Sequence, residues 1–125
     1  MSQEYGAYRV ALTATTGTTG GGALSLANPE GQKLIVTRLI LHITDGSDNA
    51  ASVDAGIAAN GTTSADNLID GQSVATAGAF DNITDKGSNG KSRQEWGTSQ
   101  YLTVTASATL AGMVGYAYIE YLRTE

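Results

Sequence analysis

The chain has no cysteine and a single histidine among its 125 residues. Without cysteine there are no disulfides, thiolate zinc sites or cysteine nucleophiles, so packing and hydrogen bonds must hold the fold together. A Ser-His-Asp arrangement or a histidine metal site would have to be built around His42 alone. Because His42 stands in the most apolar segment of the chain, we interpret it as a sheet or subunit-contact residue. We expect no enzymatic activity and no cofactor.

Positive charge is also scarce, with seven Lys and Arg against twelve Asp and Glu and a formal net charge of −5. So few cations, spread along the chain, cannot neutralise a run of phosphates or an anionic membrane surface. We therefore expect neither nucleic acid nor membrane as a partner. The sequence also lacks an uncharged apolar run of about 18 residues and the basic and apolar parts of a signal peptide, so we expect a soluble chain made in the cytosol.

Large apolar side chains are few, because much of the 41% hydrophobic content is alanine and only 6% of the residues are aromatic. The 16 glycines add to the entropy that folding must overcome. This composition predicts a thin core in the isolated chain. We expect oligomerisation to supply the missing burial.

Period-2 alternation indicates β-strands in several segments, because it lets a strand bury one face and leave the other in water. It is strongest after Tyr101, where apolar residues alternate with threonine and serine. A weaker alternation predicts strands near the start of the chain and in the middle. The apolar positions of the three segments are Leu102, Val104, Ala106, Ala108 and Leu110; Tyr8, Val10, Leu12 and Ala14; and Val53, Ala55, Ile57 and Ala59.

Two other segments are apolar on both faces. The run from Leu34 to Ile43 is rich in β-branched residues and predicts a central strand that is buried on both sides. The segment from Met113 to Leu122 has apolar residues at both its odd-numbered and its even-numbered positions. Since each sheet of a sandwich has one inner face, the second apolar face indicates a neighbouring subunit.

Turn-forming clusters of Gly, Asn, Asp and Ser separate these strands, and their spacing favours a β-sandwich. We predict one all-β domain over residues 1–125, an antiparallel β-sandwich with a jelly-roll or related Greek-key topology. Residues 1–7 are expected to form a flexible N-terminal arm. One short helical turn is expected from Ser64 to Asp70, with Ser64 as its N-cap and Gly71 after its end.

Acidic residues offer two candidate sites. The oxygen ligands of Asp45, Asp48, Asn49 and Asp54 could hold calcium in a loop, although Ala50 stands where an EF-hand requires glycine. Solvated turn carboxylates are the alternative. A pair drawn from Asp66, Asp70, Asp81 and Asp85 could hydrolyse a glycosidic bond, but the aromatic platforms that sugar sites use are scarce.

The segment from Lys86 to Trp96 concentrates positive charge in an acidic chain and ends in its single tryptophan. A basic loop attracts an acidic protein surface, and tryptophan is a frequent anchor at interface centres. This loop is therefore a candidate contact site. The alternative is that Trp96 closes one end of the sandwich while the charges face solvent. A phosphate-binding loop is not indicated, since Asp85 stands where the motif ending at Ser92 needs glycine.

The segment Ala79-Phe-Asp-Asn-Ile-Thr-Asp85 with its Gly-Ser-Asn-Gly loop, and the C-terminal hairpin from Gln100 to Leu122, carry a resemblance in composition and hairpin style. Together they resemble the small jelly-roll virion proteins of tailed bacteriophages, especially the trimeric head decoration or cement proteins. The resemblance covers under half of the chain. It implies a homotrimer without catalytic activity that binds the major capsid protein of the same virion. It also implies a place on the capsid surface, where the trimer reinforces the shell.

Within this hypothesis, the subunit interface is assigned to Tyr116, Tyr118, Val114, Leu122 and His42. Contact with the shell is assigned to Tyr5 and Tyr8 or to the basic loop, which gives the set Tyr5, Tyr8, Lys86, Lys91, Arg93 and Trp96. Two alternatives stay open. One is a head-spike or tail receptor-binding module, and the other is a free-standing carbohydrate-binding or calcium-binding β-sandwich.

Overall fold

A computed structural model of the protein describes residues 3–125, and this range contains nine strands. Within it there is no helix, and hence none long and apolar enough to cross a membrane. The strands are β1 (Tyr5–Ala11), β2 (Leu24–Ala27), β3 (Leu34–Asp45), β4 (Ser52–Ala58), β5 (Ile69–Ser73), β6 (Gly78–Asp81), β7 (Gln94–Trp96), β8 (Tyr101–Ala106) and β9 (Val114–Arg123).

The strands form two antiparallel sheets. The first has the order β1-β9-β3-β6, with β7 also paired to β3, and the second has the order β2-β8-β4-β5. Early strands thus pair with late ones, β1 with β9, β2 with β8 and β3 with β6, while β4 pairs with its neighbour β5. A chain folded into one long hairpin and then rolled into two sheets has this order, which is that of a jelly roll. The predicted all-β antiparallel sandwich is confirmed.

The core lies between the two sheets and is built from the alternating positions of each long strand. Its largest members include leucine, isoleucine and valine side chains from β3, β8 and β9, together with Tyr121 and Trp96. In β3, a bulge between Val36 and Arg38 shifts the alternation by one residue. Both Val36 and Leu39 can therefore face the core.

Strand β3 was predicted to be buried on both faces, but the single chain buries one of them. Leu34, Leu41 and Ile43 are fully buried, whereas Ile40 on the other face is half-buried and His42 is exposed. Thr44, further along the same face, is also exposed.

The expected N-terminal arm over residues 1–7 is partly wrong, because β1 begins at Tyr5 and keeps a continuous register with β9 as far as Ala11. The Arg123 guanidinium also donates to the main-chain oxygens of Gln3 (3.3 Å) and Tyr5 (2.6 Å). These bonds hold the chain against β9 from residue 3 onward. Met1 and Ser2 lie outside the described residues.

The expected helical turn at Ser64 to Asp70 is also wrong. The Asn67 side chain accepts from the Ile57 N–H (2.8 Å) and donates to the Ile57 carbonyl (2.9 Å), as a neighbouring strand would. The Leu68 N–H then donates to Ala55 (3.0 Å), and β5 follows. The segment extends the second sheet because tertiary bonds to β4 replace those of a helical turn.

One end of the sandwich is closed by a cluster of Glu30, Tyr121 and Arg123. The Tyr121 hydroxyl donates to Glu30 (2.7 Å), and Arg123 binds the same carboxylate with Nε (3.0 Å) and Nη2 (2.9 Å). The Arg123 and Tyr121 hydrogen bonds hold the pKa of Glu30 below its ordinary value. Burial and the Glu30 carboxylate raise the pKa of Tyr121 to about 12. The cluster ties β9 to the turn after β2.

Candidate interaction surface

The outer faces of the two sheets differ in what covers them. On the second sheet, Thr103 donates to the Thr63 carbonyl (2.9 Å), and the Gly21 N–H donates to Thr105 (3.0 Å). Both threonines are buried, although they point away from the core. A Cβ on Gly56 would overlap Asn67, so the 60–67 segment lies directly on β4. The chain's own loops therefore cover much of this face.

The outer face of the first sheet carries aromatic and aliphatic side chains without such a cover. Strand β9 presents its even-numbered residues there, while its odd-numbered residues 115–121 are buried. His42 of β3 lies opposite Tyr116 in the register and shares the face. The structure thus brings together all five residues predicted for a subunit interface, which are Val114, Tyr116, Tyr118, Leu122 and His42.

Strand β1 adds Arg9 to this face, where it lies opposite Tyr118. The Arg9 guanidinium lies 4.3 Å from the centre of the Tyr116 ring and 5.9 Å from that of Tyr118. The His42 and Tyr118 ring centres are 6.4 Å apart. Contacts of this kind hold the two tyrosine rings in place on the sheet. We call this surface the tyrosine face, defined by Arg9, Ile40, His42, Val114, Tyr116, Tyr118 and Leu122.

An open hollow of about 360 Å³ lies on the tyrosine face between β1, β9 and β3, and it is lined by Ala7, Tyr8, Arg9, Ile40, Tyr118, Ile119 and Glu120. Its floor is apolar, and Arg9 and Glu120 bring opposite charges to its lining. Such a hollow suits an apolar side chain from a neighbouring molecule, with polar contacts around it. Nothing in the sequence indicates that Arg9 and Ile40 belong to this surface, because each comes next to Tyr118 only when β1 and β3 flank β9.

The residues predicted for shell contact lie at both edges of the first sheet. Tyr5 is 72% exposed and lies opposite Leu122, on the same side as the tyrosine face. Tyr8 is in the same strand, but its register partner Ile119 is a core residue. Tyr8 is nevertheless 42% exposed, because β1 is the edge strand.

Lys86, Lys91 and Arg93 lie at the opposite edge and are all exposed. Their loop leaves β6 in the first sheet and crosses to β5 in the second. There the Asp70 N–H donates to Lys86 (2.8 Å), and the Lys91 N–H donates to Asn67 (3.0 Å). The loop then returns to β7. The tyrosine pair and the three cations are therefore separated by the width of a sheet.

The assignment of Trp96 to partner contact is wrong. Its side chain is 0% exposed and lies in the core, opposite Leu34 in the register. The indole N–H donates to the Gln100 carbonyl at 2.9 Å. Trp96 therefore closes one end of the sandwich, the alternative that the sequence left open, because the apolar indole is more stable inside than on the rim.

The acidic residues considered as calcium ligands do not form a metal-binding group. Among residues 3–125 there is no group of three or more carboxylate or imidazole side chains arranged to hold a metal ion. Asp54 accepts from the Gly71 N–H (2.8 Å) rather than joining Asp45 and Asp48. Burial raises the pKa of Asp54, and the charges of Asp70 and Asp66 raise it further.

Asp81 and Asp85 act within a turn. The Asp81 carboxylate accepts from the N–H groups of Thr84 (2.8 Å) and Ile83 (2.9 Å), which lower its pKa. Asp85 accepts from the Asp81 N–H (2.9 Å). These bonds engage both carboxylates in stabilising the turn after β6.

No protein-family model matches the chain, and no curated protein matches its sequence. Its fold is similar to that of a chain in a solved structure described as "Capsid of Ralstonia phage GP4". The two chains are 14% identical, and their superposition has a TM-score of 0.62. The match covers 100% of this chain and 88% of the other. The whole jelly-roll sandwich is thus shared with that chain.

Proposed function

We propose that the protein is a non-enzymatic structural protein of a phage virion, which binds the head surface as a homotrimer and stabilises the shell. The observation that carries the proposal is the tyrosine face, an aromatic and aliphatic surface on one sheet of a sandwich whose other sheet is covered by its own loops. Partly exposed aromatic and aliphatic side chains grouped on one face are typical of a surface that binds a partner.

The similarity of fold to a chain from a phage capsid supports the virion role. The net charge of the chain and the position of its histidine are also consistent with binding to the head surface. The net charge of −5 disfavours nucleic acid as a partner. The single histidine is exposed on the outer sheet face and does not line the hollow beside Arg9. These features suit a protein that binds another protein surface.

We assign the trimer contact to the tyrosine face. Tyr118 stands at its centre, between Arg9 on one side and Ile40 on the other. A cyclic trimer brings one copy's tyrosine face against a neighbour, and burying its apolar area stabilises the assembly by roughly 25 cal/mol per Å². The contact would also cover the apolar outer face of β3.

The first test is the solution mass, measured by size-exclusion chromatography with light scattering at micromolar concentration. We expect three times 12.8 kDa for the native chain. Tyr118→Glu should lower the mass to that of one chain, because it places a carboxylate in the apolar contact. Tyr101→Glu is the matched control, a half-buried tyrosine of β8 on the outer face of the second sheet, and it should leave the trimer intact.

A native chain that stays monomeric would contradict the trimer and favour the free-standing binding domain instead. Equal loss of the trimer in both variants would contradict the assignment of the contact to the tyrosine face.

The second test is binding to purified phage heads that lack the protein, measured by co-sedimentation and by the temperature at which the heads break. We expect the native chain to sediment with the heads and to raise that temperature, as any ligand of the assembled state does. Tyr5→Ser and the triple change Lys86→Ser, Lys91→Ser and Arg93→Ser separate the two candidate contact edges. A chain that binds host cells and not the heads would instead be a receptor-binding module.

A further inference from the structure

The outer edge of β1 carries main-chain groups that have no partner within residues 3–125. The Leu12 N–H donates to Gly115 (2.9 Å), and the Arg123 N–H donates to Glu4 (2.7 Å). Hydrogen bonding alternates along an antiparallel ladder, so the even-numbered residues of β1 bond to β9. The N–H and C=O groups of Ala7, Arg9 and Ala11 therefore point away from the sheet, and all three residues are exposed.

The other strand edges of the sandwich are protected. The loop after β6 covers the edge of β5, where the Lys86 carbonyl accepts from the Asp70 N–H. Strands β6 and β7 have four and three residues and are flanked by charged loops, and β2 has four.

Strand β1 has seven residues in continuous register, with no proline and no bulge. Its one charge, Arg9, lies over the tyrosine rings. Short strands, charges and covering loops are the usual means of blocking pairing, and β1 lacks them.

We propose that the open edge of β1 joins two copies of this chain, which pair antiparallel about a two-fold axis at Tyr8. This contact uses the main-chain edge of β1, whereas the tyrosine face presents side chains of the same sheet, and it does not depend on the proposed virion role. It would continue the first sheet of one copy into that of the next.

The register follows from the strand itself. Tyr8 is the central residue of Tyr5–Ala11, so full overlap of two copies places Tyr8 opposite Tyr8. Ala7 then faces Arg9 of the second copy, and each such pair exchanges both of its N–H···O bonds. A shift by two positions in one direction would place Arg9 opposite Arg9, and like charges directly opposite destabilise a sheet. A shift by two in the other direction would place Ala7 opposite Ala7 and Tyr8 opposite Gly6, which loses the Tyr8 pair.

The side chains favour the same register. Tyr8 is 42% exposed, and a Tyr–Tyr pair across two strands is among the favourable cross-strand contacts. Arg123 occupies the Tyr5 carbonyl at one end of the edge. The pairing therefore rests on the central residues, from Ala7 to Arg9.

Cross-linking through a single introduced cysteine tests the register, because the native chain contains none. Residues facing each other in a non-hydrogen-bonded pair have Cα atoms about 4.5 Å apart, within the range that a disulfide spans. Tyr8→Cys should therefore give a covalent dimer under mild oxidation. Val10→Cys should give none, since the two copies of residue 10 would lie about 13 Å apart along the strands. Equal cross-linking of the two variants, or none in either, would overturn the proposal.

Proline at an edge position gives an independent test. Ala7→Pro removes an outward N–H while leaving the bonds between β1 and β9 in place. Sedimentation velocity should show the mass of the native species double as concentration rises from micromolar to millimolar. This doubling is expected whether the species at micromolar concentration is a monomer or a trimer formed through the tyrosine face. Ala7→Ser keeps the N–H and should behave as the native chain, whereas Ala7→Pro should not double. A native mass that does not rise, or an equal rise in the proline variant, would contradict the edge contact.

Discussion

Glu30 joins the end of the chain to the turn after β2, and its titration should be visible in the stability of the protein. Its pKa is held below the ordinary value of 4.5, chiefly by Arg123 and also by Tyr121. Below that pH the unfolded chain binds a proton at Glu30 that the folded chain resists, so this contribution to stability is lost as pH falls.

We therefore expect the melting temperature of the native protein to fall more steeply below pH 4.5 than that of Glu30→Gln. Calorimetry between pH 7 and pH 3 measures the two slopes. The amide cannot titrate, so parallel slopes would show that Glu30 does not contribute to the acid sensitivity.

Trp96 provides a second prediction at the residue scale. Its indole is fully buried and donates to Gln100. Trp96→Ala should lower the free energy of unfolding by about 3–5 kcal/mol, because it leaves a cavity and removes buried apolar area. Urea unfolding followed by circular dichroism measures the loss. A change below about 1 kcal/mol would be typical of an exposed residue and would favour the contact role that the structure contradicts.

At the scale of elements, one glycine of β1 makes room for a tyrosine ring of β9. A Cβ on Gly6 would overlap the ring of Tyr121, its register partner. Gly6→Ala should therefore displace the ring and cost about 1–3 kcal/mol of stability, as overpacking usually does. Ala7→Ser in the same strand is the control and should stay within about 0.5 kcal/mol, as exposed substitutions do. Thermal unfolding of the pair measures the difference, and equal stability would contradict the close approach.

Asn82 completes the edge of β3 between β6 and β7. It is fully buried, its side-chain oxygen accepts from the Leu39 N–H (2.8 Å), and its amide donates to Lys91 (3.0 Å). Asn82→Ala leaves both main-chain groups without partners and should cost about 1–3 kcal/mol.

Asn60→Ala is the comparison for Asn82→Ala, because Asn60 accepts from the Thr62 N–H (3.1 Å) in an exposed turn where water can replace it. Chemical denaturation should show the larger loss for Asn82. A loss at Asn60 as large as that at Asn82 would contradict the structural role of the buried amide.

At the scale of the whole molecule, one cluster of buried residues contains members of both sheets and Trp96. A chain with one core should unfold in a single cooperative transition. Trp96 fluorescence and far-ultraviolet circular dichroism should therefore give the same urea midpoint at a concentration where the oligomeric state is constant. Two separate midpoints would contradict the single domain predicted for residues 1–125.

Local pattern was sufficient for the strands and for much of the tyrosine face. Alternation within β9 predicted that Val114, Tyr116 and Tyr118 share a face, since the parity of a regular strand depends on the chain alone. Alternation within β8 likewise predicted that Leu102 and Val104 face the core, where they are fully buried. In β3 the sequence predicted burial on both faces, but the single chain buries one, and the bulge after Val36 changes the parity with no nearby residue type that signals it.

Composition and alternation by themselves determined an acidic, cysteine-free, all-β sandwich with one apolar surface beyond its core, because these properties depend on neighbours along the chain. The tertiary structure decided which residues meet across strands that are distant in sequence. It placed Arg9 over Tyr116, Trp96 in the core and Asn67 against β4. It also left β1 as an open edge. Each of these depends on pairings between distant segments, and the free energy of such contacts is set by the whole packed fold rather than by local sequence.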